Sequence, residues 1–371
     1  MPDVPHLDGV LSAAEVALTA RTIADMMEPS GAIPWAPGEH TDVWNHVEGA
    51  MALLVGGEVE AAERAYAWVP TVQRHDGSMP LKIVAGVVED ASGETNMTAY
   101  VAVGVWHHWL VRRDLGFVKR MWPTVSAALD FVVGMQLPWG GIAWSQEWHD
   151  GRPATVNREA LLTGSSSVFH SLRAGLAIAE LLGQQQPDWE LAAGRLAHAL
   201  RAHPDMFMDK SRWSMDWYYP VLGSAVRGEQ GRALIDARWD EFVVPGLGVR
   251  CVADNEWVTG AETCELAMAL DGLGDRERAR EMLVSMQHLR HENGSYWTGL
   301  VFDKSVHWPH EQTTYTAAAV VLAVDALAHA TAGADIMRGV TFGPPIPDLH
   351  GECGCPDASS ERVAGVAGHS A

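Results

Sequence analysis

The sequence predicts an all-α protein, an (α/α)6 barrel built from six helical hairpins. Three observations carry that expectation: six similar turns along the chain, an amphipathic helical segment before each, and a helical segment apolar on nearly every side after each. The turns are PSGAIPW (29–35), HDGSMPL (75–81), PWGGIAW (138–144), FMDKSRW (207–213), PGLGVRC (245–251) and ENGSYW (292–297). The first, second, third and sixth set a glycine before a small or apolar residue. The fourth and fifth are degenerate copies, accepted for their position. Recurrence of this kind marks stacked supersecondary units.

The segments before the turns have the 3.6-residue period. Ala62, Ala65, Tyr66 and Val69 form one apolar stripe, with Glu58, Glu60, Glu63 and Arg64 mostly elsewhere. Ala279, Met282, Leu283 and Met286 form another, opposite Arg276, Glu277, Arg280 and Glu281. Such helices keep one wet face. Pro123 is expected to start or kink the third of them. The segments after the turns are 42–55, 95–111, 163–182, 215–226, 261–270 and 311–328. A helix without a polar face is buried all round, which assigns these six to an inner ring. A plain α-solenoid is the rival, but its repeats would be more regular in length. Residues 1–330 are read as this one helical domain. Residues 331–371 lose the period, are rich in Gly, Ala, Pro and Ser, and form a C-terminal extension whose last twenty or so residues pack little.

Composition bounds the function. Lys plus Arg number 26 against 47 for Asp plus Glu, a formal charge of −21. That balance argues against docking on phosphates or anionic lipid, so neither nucleic acid nor membrane is an expected partner. No apolar run approaches the roughly 20 residues that span a bilayer. The start MPDVPHLDGVLS lacks a basic segment and an apolar core, and four cysteines are no disulfide framework, which together suggest a cytoplasmic protein. No P-loop or dinucleotide fingerprint appears, and no cofactor is expected. Cys353 and Cys355 with His350 lack a convincing fourth ligand, so no metal site is expected either.

The chain resembles the six-hairpin toroid group, which includes the glucoamylase-like glycoside hydrolases. The resemblance covers about residues 10–330. Glu311-Gln-Thr-Thr-Tyr-Thr is similar to the last inner helix of those hydrolases, where a Glu-Gln pair stands near the catalytic base. Trp144-Ser-Gln-Glu-Trp resembles the region that supplies their acid. A weaker resemblance, through Gln73…Gly77 and Gln136…Gly140, is to the repeats of squalene cyclases and protein prenyltransferases, but their DxDD and DDxxD motifs are absent. The resemblance implies a carbohydrate-active enzyme, inverting by preference, on a short oligosaccharide or glycoconjugate. An isoprenoid-handling enzyme and a non-catalytic glycan-binding toroid stay open as alternatives.

In such an architecture the loops entering the inner helices open on one face. Hydrolysis of a glycoside needs two carboxyl groups, one protonated and one ionised. Glu147, between Gln146 and Trp148, is the candidate acid, its indole neighbour favouring the neutral form. Glu311 is the candidate base, kept ionised by a helix N-terminus. Tryptophan usage supports a sugar site: there are 16 Trp against 7 Phe and 6 Tyr, and ten Trp fall in turns or at inner-helix starts. Flat indoles stack on the C–H faces of sugar rings. The substrate-binding candidates are therefore Trp35, Asp42, Trp44, Asn96, Trp144, Trp148, His149, Trp213, Asp216, Tyr218, Trp257, Glu262 and Trp308. Asp42 and Glu262 are also reserve carboxyls, positioned equally well for helix capping.

Overall fold

The structure, a computed structural model, describes residues 4–343 and 346. Helix α1 (Ala13–Met26) starts on a capping box in which Ser12 accepts from the Glu15 amide and the Glu15 carboxylate accepts from the Ser12 amide. Its partner α2 (Val43–Val55) is capped by Asp42, and all of its 13 residues are buried. Helix α3 (Val59–Val72) lies on the outside of α2, as its Ala62/Ala65/Tyr66/Val69 stripe requires. Strands β1 (Pro80–Val84) and β2 (Val87–Glu94) then lead into α4 (Thr95–Ala99) and α5 (Val101–Arg112), one apolar rod interrupted at Tyr100. Helix α6 (Leu115–Gly134) covers them and carries Pro123 in its interior, well past its start.

The pattern continues through strands β3 (Ser145–His149) and β4 (Arg152–Asn157), inner helix α7 (Leu162–Leu182) and outer helix α8 (Pro187–Ala202). Inner helix α9 (Ser214–Leu222) is followed by α10 (Gly228–Asp236) and the short α11 (Trp239–Phe242). Strands β5 (Val243–Val244), β6 (Gly248–Arg250) and β7 (Trp257–Thr259) enter inner helix α12 (Gly260–Gly272). After outer helix α13 (Arg276–Ser285), strands β8 (Gly299–Val301) and β9 (Val306–His307) enter the last inner helix, α14 (Thr314–Ala328).

The expected inner segments thus form helices with ends displaced by a few residues. Each packs on the next: α2 on α5, α5 on α7, α7 on α9, α9 on α12, α12 on α14, and α14 back on α2. The repeated turns explain themselves through glycine. Gly77 (φ +91°) and Gly140 (φ +103°) hold a backbone that L side chains rarely adopt. Each also lies against the next outer helix: a Cβ would stand 2.0 Å from the Ala127 carbonyl oxygen at Gly77 and 2.7 Å from that of Arg195 at Gly140. Gly31 meets Arg64 of α3 in the same way, and Gly294 meets Leu18 of α1. The repeated glutamines brace these turns. Gln73 donates to the carbonyls of Gly77 and Thr124, and Gln136 to those of Gly140 and Ala192.

The protein is mainly helical but not all-α. Strands β1–β2–β3–β4 form one antiparallel sheet and β5–β6–β7–β8–β9 a second. Their sequences conceal them, because segments such as VVEDASGE and RPATVN stand largely in solvent and lack the apolar alternation of a half-buried strand. Beyond α14, Ala334, Ile336, Met337 and Phe342 are buried, and Arg338 makes a two-pronged contact with Asp271 at 2.6 and 2.7 Å. His350, Cys353 and Cys355 lie outside the described residues. No helix among the described residues is long and apolar enough to cross a membrane.

Candidate active site

The inner helices all begin on the face that carries the two sheets, and their first turns hold a group of carboxyls: Asp42 at α2, Glu94 at α4, Asp216 at α9 and Glu262 at α12, all buried. Asp42 accepts from the Asn45 amide at 2.9 Å and from its side chain at 2.5 Å, with His40 at 3.7 Å. Burial drives its carboxyl above the usual range despite those bonds. Glu94 accepts from the Met97 amide at 2.5 Å, and burial pushes it up to about 7. Asp216, also raised by burial, holds α7 to α9 by accepting from the Thr163 hydroxyl at 2.6 Å.

Glu311 lies just before α14 rather than on it, since Thr313 is the N-cap. It is therefore set at the mouth by hydrogen bonds rather than by the helix end. The Trp35 indole N–H donates to its Oε1 at 2.8 Å and the Thr298 hydroxyl at 3.3 Å. Trp35 in turn stacks on His40 with ring centres 6.0 Å apart. Glu311, Trp35, His40 and Asp42 thus form one connected run at the mouth.

Glu147 sits in mid-strand on β3 with its side chain 42% exposed, and His149 Nε2 lies 3.4 Å from its carboxylate. Consecutive strand residues point to opposite faces, which turns the Trp148 ring away from Glu147. The Trp148 ring instead packs under the Arg74 guanidinium at 4.2 Å and against His75. Ser145 pairs with Glu94 across the strands, which puts Glu147 two residues farther out on the same sheet face as Glu94.

Below the mouth lies an aromatic floor. Trp44 of α2 meets Tyr100, Tyr219 and Tyr315, from three other inner rods, at centroid distances of 6.0, 5.8 and 6.1 Å. Two buried glutamates anchor these rings. Glu48 accepts from Trp44 at 3.2 Å and Tyr100 at 3.0 Å. Glu265 accepts from Tyr219 at 2.8 Å, Tyr315 at 2.9 Å and Tyr218. Glu265 was not among the sequence candidates. Its signal was present: two carboxylates three residues apart, with Glu262, in the first half of a helix that is apolar over most of its faces.

The remaining tryptophans divide. Trp217 and Tyr218 are core residues rather than part of a wall, being fully buried, with the Trp217 N–H on the carbonyls of Leu234 and Ile235. Trp144 is half-buried, and its carbonyl accepts from the Thr95 amide at the start of α4. Trp308 is 54% exposed, yet its position is held by Trp257, whose N–H donates to the Trp308 carbonyl at 2.8 Å while the rings meet edge-on at 4.9 Å. Trp213, the N-cap of α9, is 43% exposed. The Asn96 Oδ1 and Trp148 Nε1 atoms are buried without a partner among the described residues, as polar atoms awaiting a ligand would be.

Glu48, like Glu94, is pushed up to about 7, chiefly by burial, from an ordinary value of 4.5. The folded chain therefore keeps both protons over a range in which the unfolded chain has released them. Their contribution to stability is greatest below about pH 4.5 and falls as pH rises to about 7. In Glu94→Gln the decline should be shallower, so melting temperature plotted from pH 4 to 8 should converge on, or overtake, the parent curve at the alkaline end. Parallel curves would show that Glu94 takes no part. No cluster of three or more His, Cys, Asp or Glu side chains among the described residues could hold a metal.

No family model matches the chain. It is 55% identical over 360 residues to the MMP endo-(1,4)-3-O-methyl-α-D-mannosidase of Mycolicibacterium hassiacum, spanning 97% of this chain and 98% of that one. Solved structures share the fold at much lower identity. A wild-type glycosidase aligns with a TM-score of 0.66 at 15% identity, over 85% of this chain and 98% of its own. A GH63 mannosylglycerate hydrolase from Thermus thermophilus aligns at 0.60 and 12%, over 83% and 99%. A D-mannose isomerase aligns at 0.63 and 11%, over 84% and 96%, so the fold by itself does not select hydrolysis.

Proposed function

Because this chain belongs to the same family as the Mycolicibacterium endo-mannosidase and is a glycoside hydrolase, we propose that it cuts internal (1,4) bonds between 3-O-methyl-α-D-mannose units. The observation that carries the reading is the mouth itself, where carboxyls from several inner helices stand among indoles above a closed aromatic floor. A 3-O-methyl group removes a hydroxyl donor and adds an apolar surface, a change that suits an indole-rich wall. The carboxyl-lined mouth and the family leave the isoprenoid and non-catalytic readings without support.

We infer further that the six inner helices close into a six-hairpin toroid. The support is the cycle of packing that returns from α14 to α2, together with the turn glycine after α13, which seats on α1.

For the chemistry, Asp42 is our acid and Glu311 our base. Asp42 is buried with its carboxyl raised above the usual range, which suits a proton donor, and Glu311 is fixed at the mouth by hydrogen bonds from Trp35 and Thr298. Glu147 is retained as the rival acid, since a bound sugar would cover it, and Glu262 as the rival base. An inverting reaction would release the β anomer first, which proton NMR during turnover reads directly.

The test of the substrate is incubation with a 3-O-methylmannose polysaccharide and sizing of the products. Early accumulation of mid-length fragments is expected. Release of single units from one end, or no turnover beside active cleavage of another glycan, would overturn the reading.

A further inference from the structure

The two sheets are not spread evenly around the mouth. The strands β1–β4 precede the rods α4–α5 and α7, and β5–β9 precede α12 and α14. In the packing order α2, α5, α7, α9, α12, α14, each sheet therefore rises over two neighbouring helices, and the two face one another. The helices whose entry segments contain no strand are α2 and α9, which occupy opposite positions in that order and join the sheets only through single bridges, Thr41 to Ile83 and Trp213 to Val252. The segment before α2 is a loop holding the stacked Trp35–His40 pair, and the segment before α9 ends in the exposed Trp213.

From this asymmetry we infer that the glycan lies in a trough between the two sheets, open at α2 and at α9, and that Trp213 is a distal sugar subsite at the α9 exit. The inference rests on the closed ring and the substrate proposed above. An internal bond can be cut only if chain leaves the site in both directions, and a mouth walled all round would admit an end alone. The Trp213 backbone is tied down independently of its side chain: it bridges to Val252, and the Ser214 amide donates to the Cys251 carbonyl. The neighbouring Arg212 and Asp254 pair at 2.7 Å. An indole 43% exposed on so anchored a backbone offers a fixed flat surface. Trp308 stands on the sheet wall beside Glu311, whereas Trp213 stands at the exit, so the two should act on different stretches of the same chain.

The test uses the full-length protein and a ladder of 3-O-methylmannose oligosaccharides of increasing length. For the parent, kcat/KM should climb with length until the trough is filled. In Trp213→Ala the climb should stop earlier, and the ratio of long-chain to short-chain kcat/KM should fall about tenfold, the loss of one aromatic contact. Trp213→Phe should recover most of that ratio, and circular dichroism checks that both variants fold. An unchanged ratio in a variant of a parent that cuts the ladder overturns the trough alone, as does a loss equal at every length. A parent inert on the whole ladder overturns the substrate reading and takes this inference with it.

Discussion

Asp42→Asn and Glu311→Gln should each fold as the parent does and lose about a thousandfold in kcat, the usual scale for removing a positioned acid or base. Folding should survive because Asn caps a helix as well as Asp, and because a Gln carbonyl can still accept from Trp35. The two losses should differ in kind. Added azide or formate should restore part of the activity of a truncated base variant, Glu311→Ala, where a small anion can stand in the vacated place. An activated aryl glycoside, whose leaving group needs no proton, should restore the acid variant instead. Run beside Glu147→Gln and Glu262→Gln, the series assigns roles without ambiguity. If Glu147→Gln shows the aryl-glycoside signature and Asp42→Asn does not, the acid is Glu147. Near-parental rates in both Asp42→Asn and Glu311→Gln would remove the pair we propose.

Gly77→Ala should cost roughly 3 kcal/mol or more of folding stability. Two terms add: a left-handed backbone that alanine adopts at a cost of about 1–3 kcal/mol, and overpacking of a similar size. The second is severe here, since the new Cβ would stand 2.0 Å from the Ala127 carbonyl oxygen, a backbone atom with nowhere to go. Gly38→Ala separates the terms. Gly38 has φ +85° and nothing within 4 Å of its Cβ position, so it should lose only the conformational part. The urea midpoint, at constant slope, reads both. Equal losses at Gly77 and Gly38 would mean that the turn does not seat on α6 as described.

The helical frame was legible because its signals are local. The stripe Ala62/Ala65/Tyr66/Val69 buries as its period demands, and segments apolar on every side become helices enclosed on every side. The repeated glycines and glutamines were visible as a pattern, but their purpose was not. Gln73 and Gly77 act on α6, some fifty residues on, and no window along the chain contains both partners. The sheets were missed because β2 and β4 of the first stand largely in solvent and the strands of the second are only two or three residues long, so neither sheet carries an apolar alternation.

The candidate site was legible in composition and not in arrangement. Indoles and carboxyls cluster at inner-helix starts, and the sequence shows that directly. It could not divide them. Trp44 became floor, Trp217 and Tyr218 core, and Trp213 and Trp308 exposed rim, although all five sit in equivalent stretches of sequence. The carboxyls divided likewise: burial raises Asp42 and Glu94, while Glu147 stands half in solvent with its tryptophan on the opposite face.

What this sequence determined alone is the alternation of half-wet and fully apolar helices and the turns between them, because side-chain period and glycine placement act within a few residues. Which acid is desolvated, which indole meets solvent, and where the mouth lies open were decided only when helices distant in the chain came together. A carboxyl's proton affinity and a ring's exposure belong to its surroundings, and those surroundings come from every part of the chain.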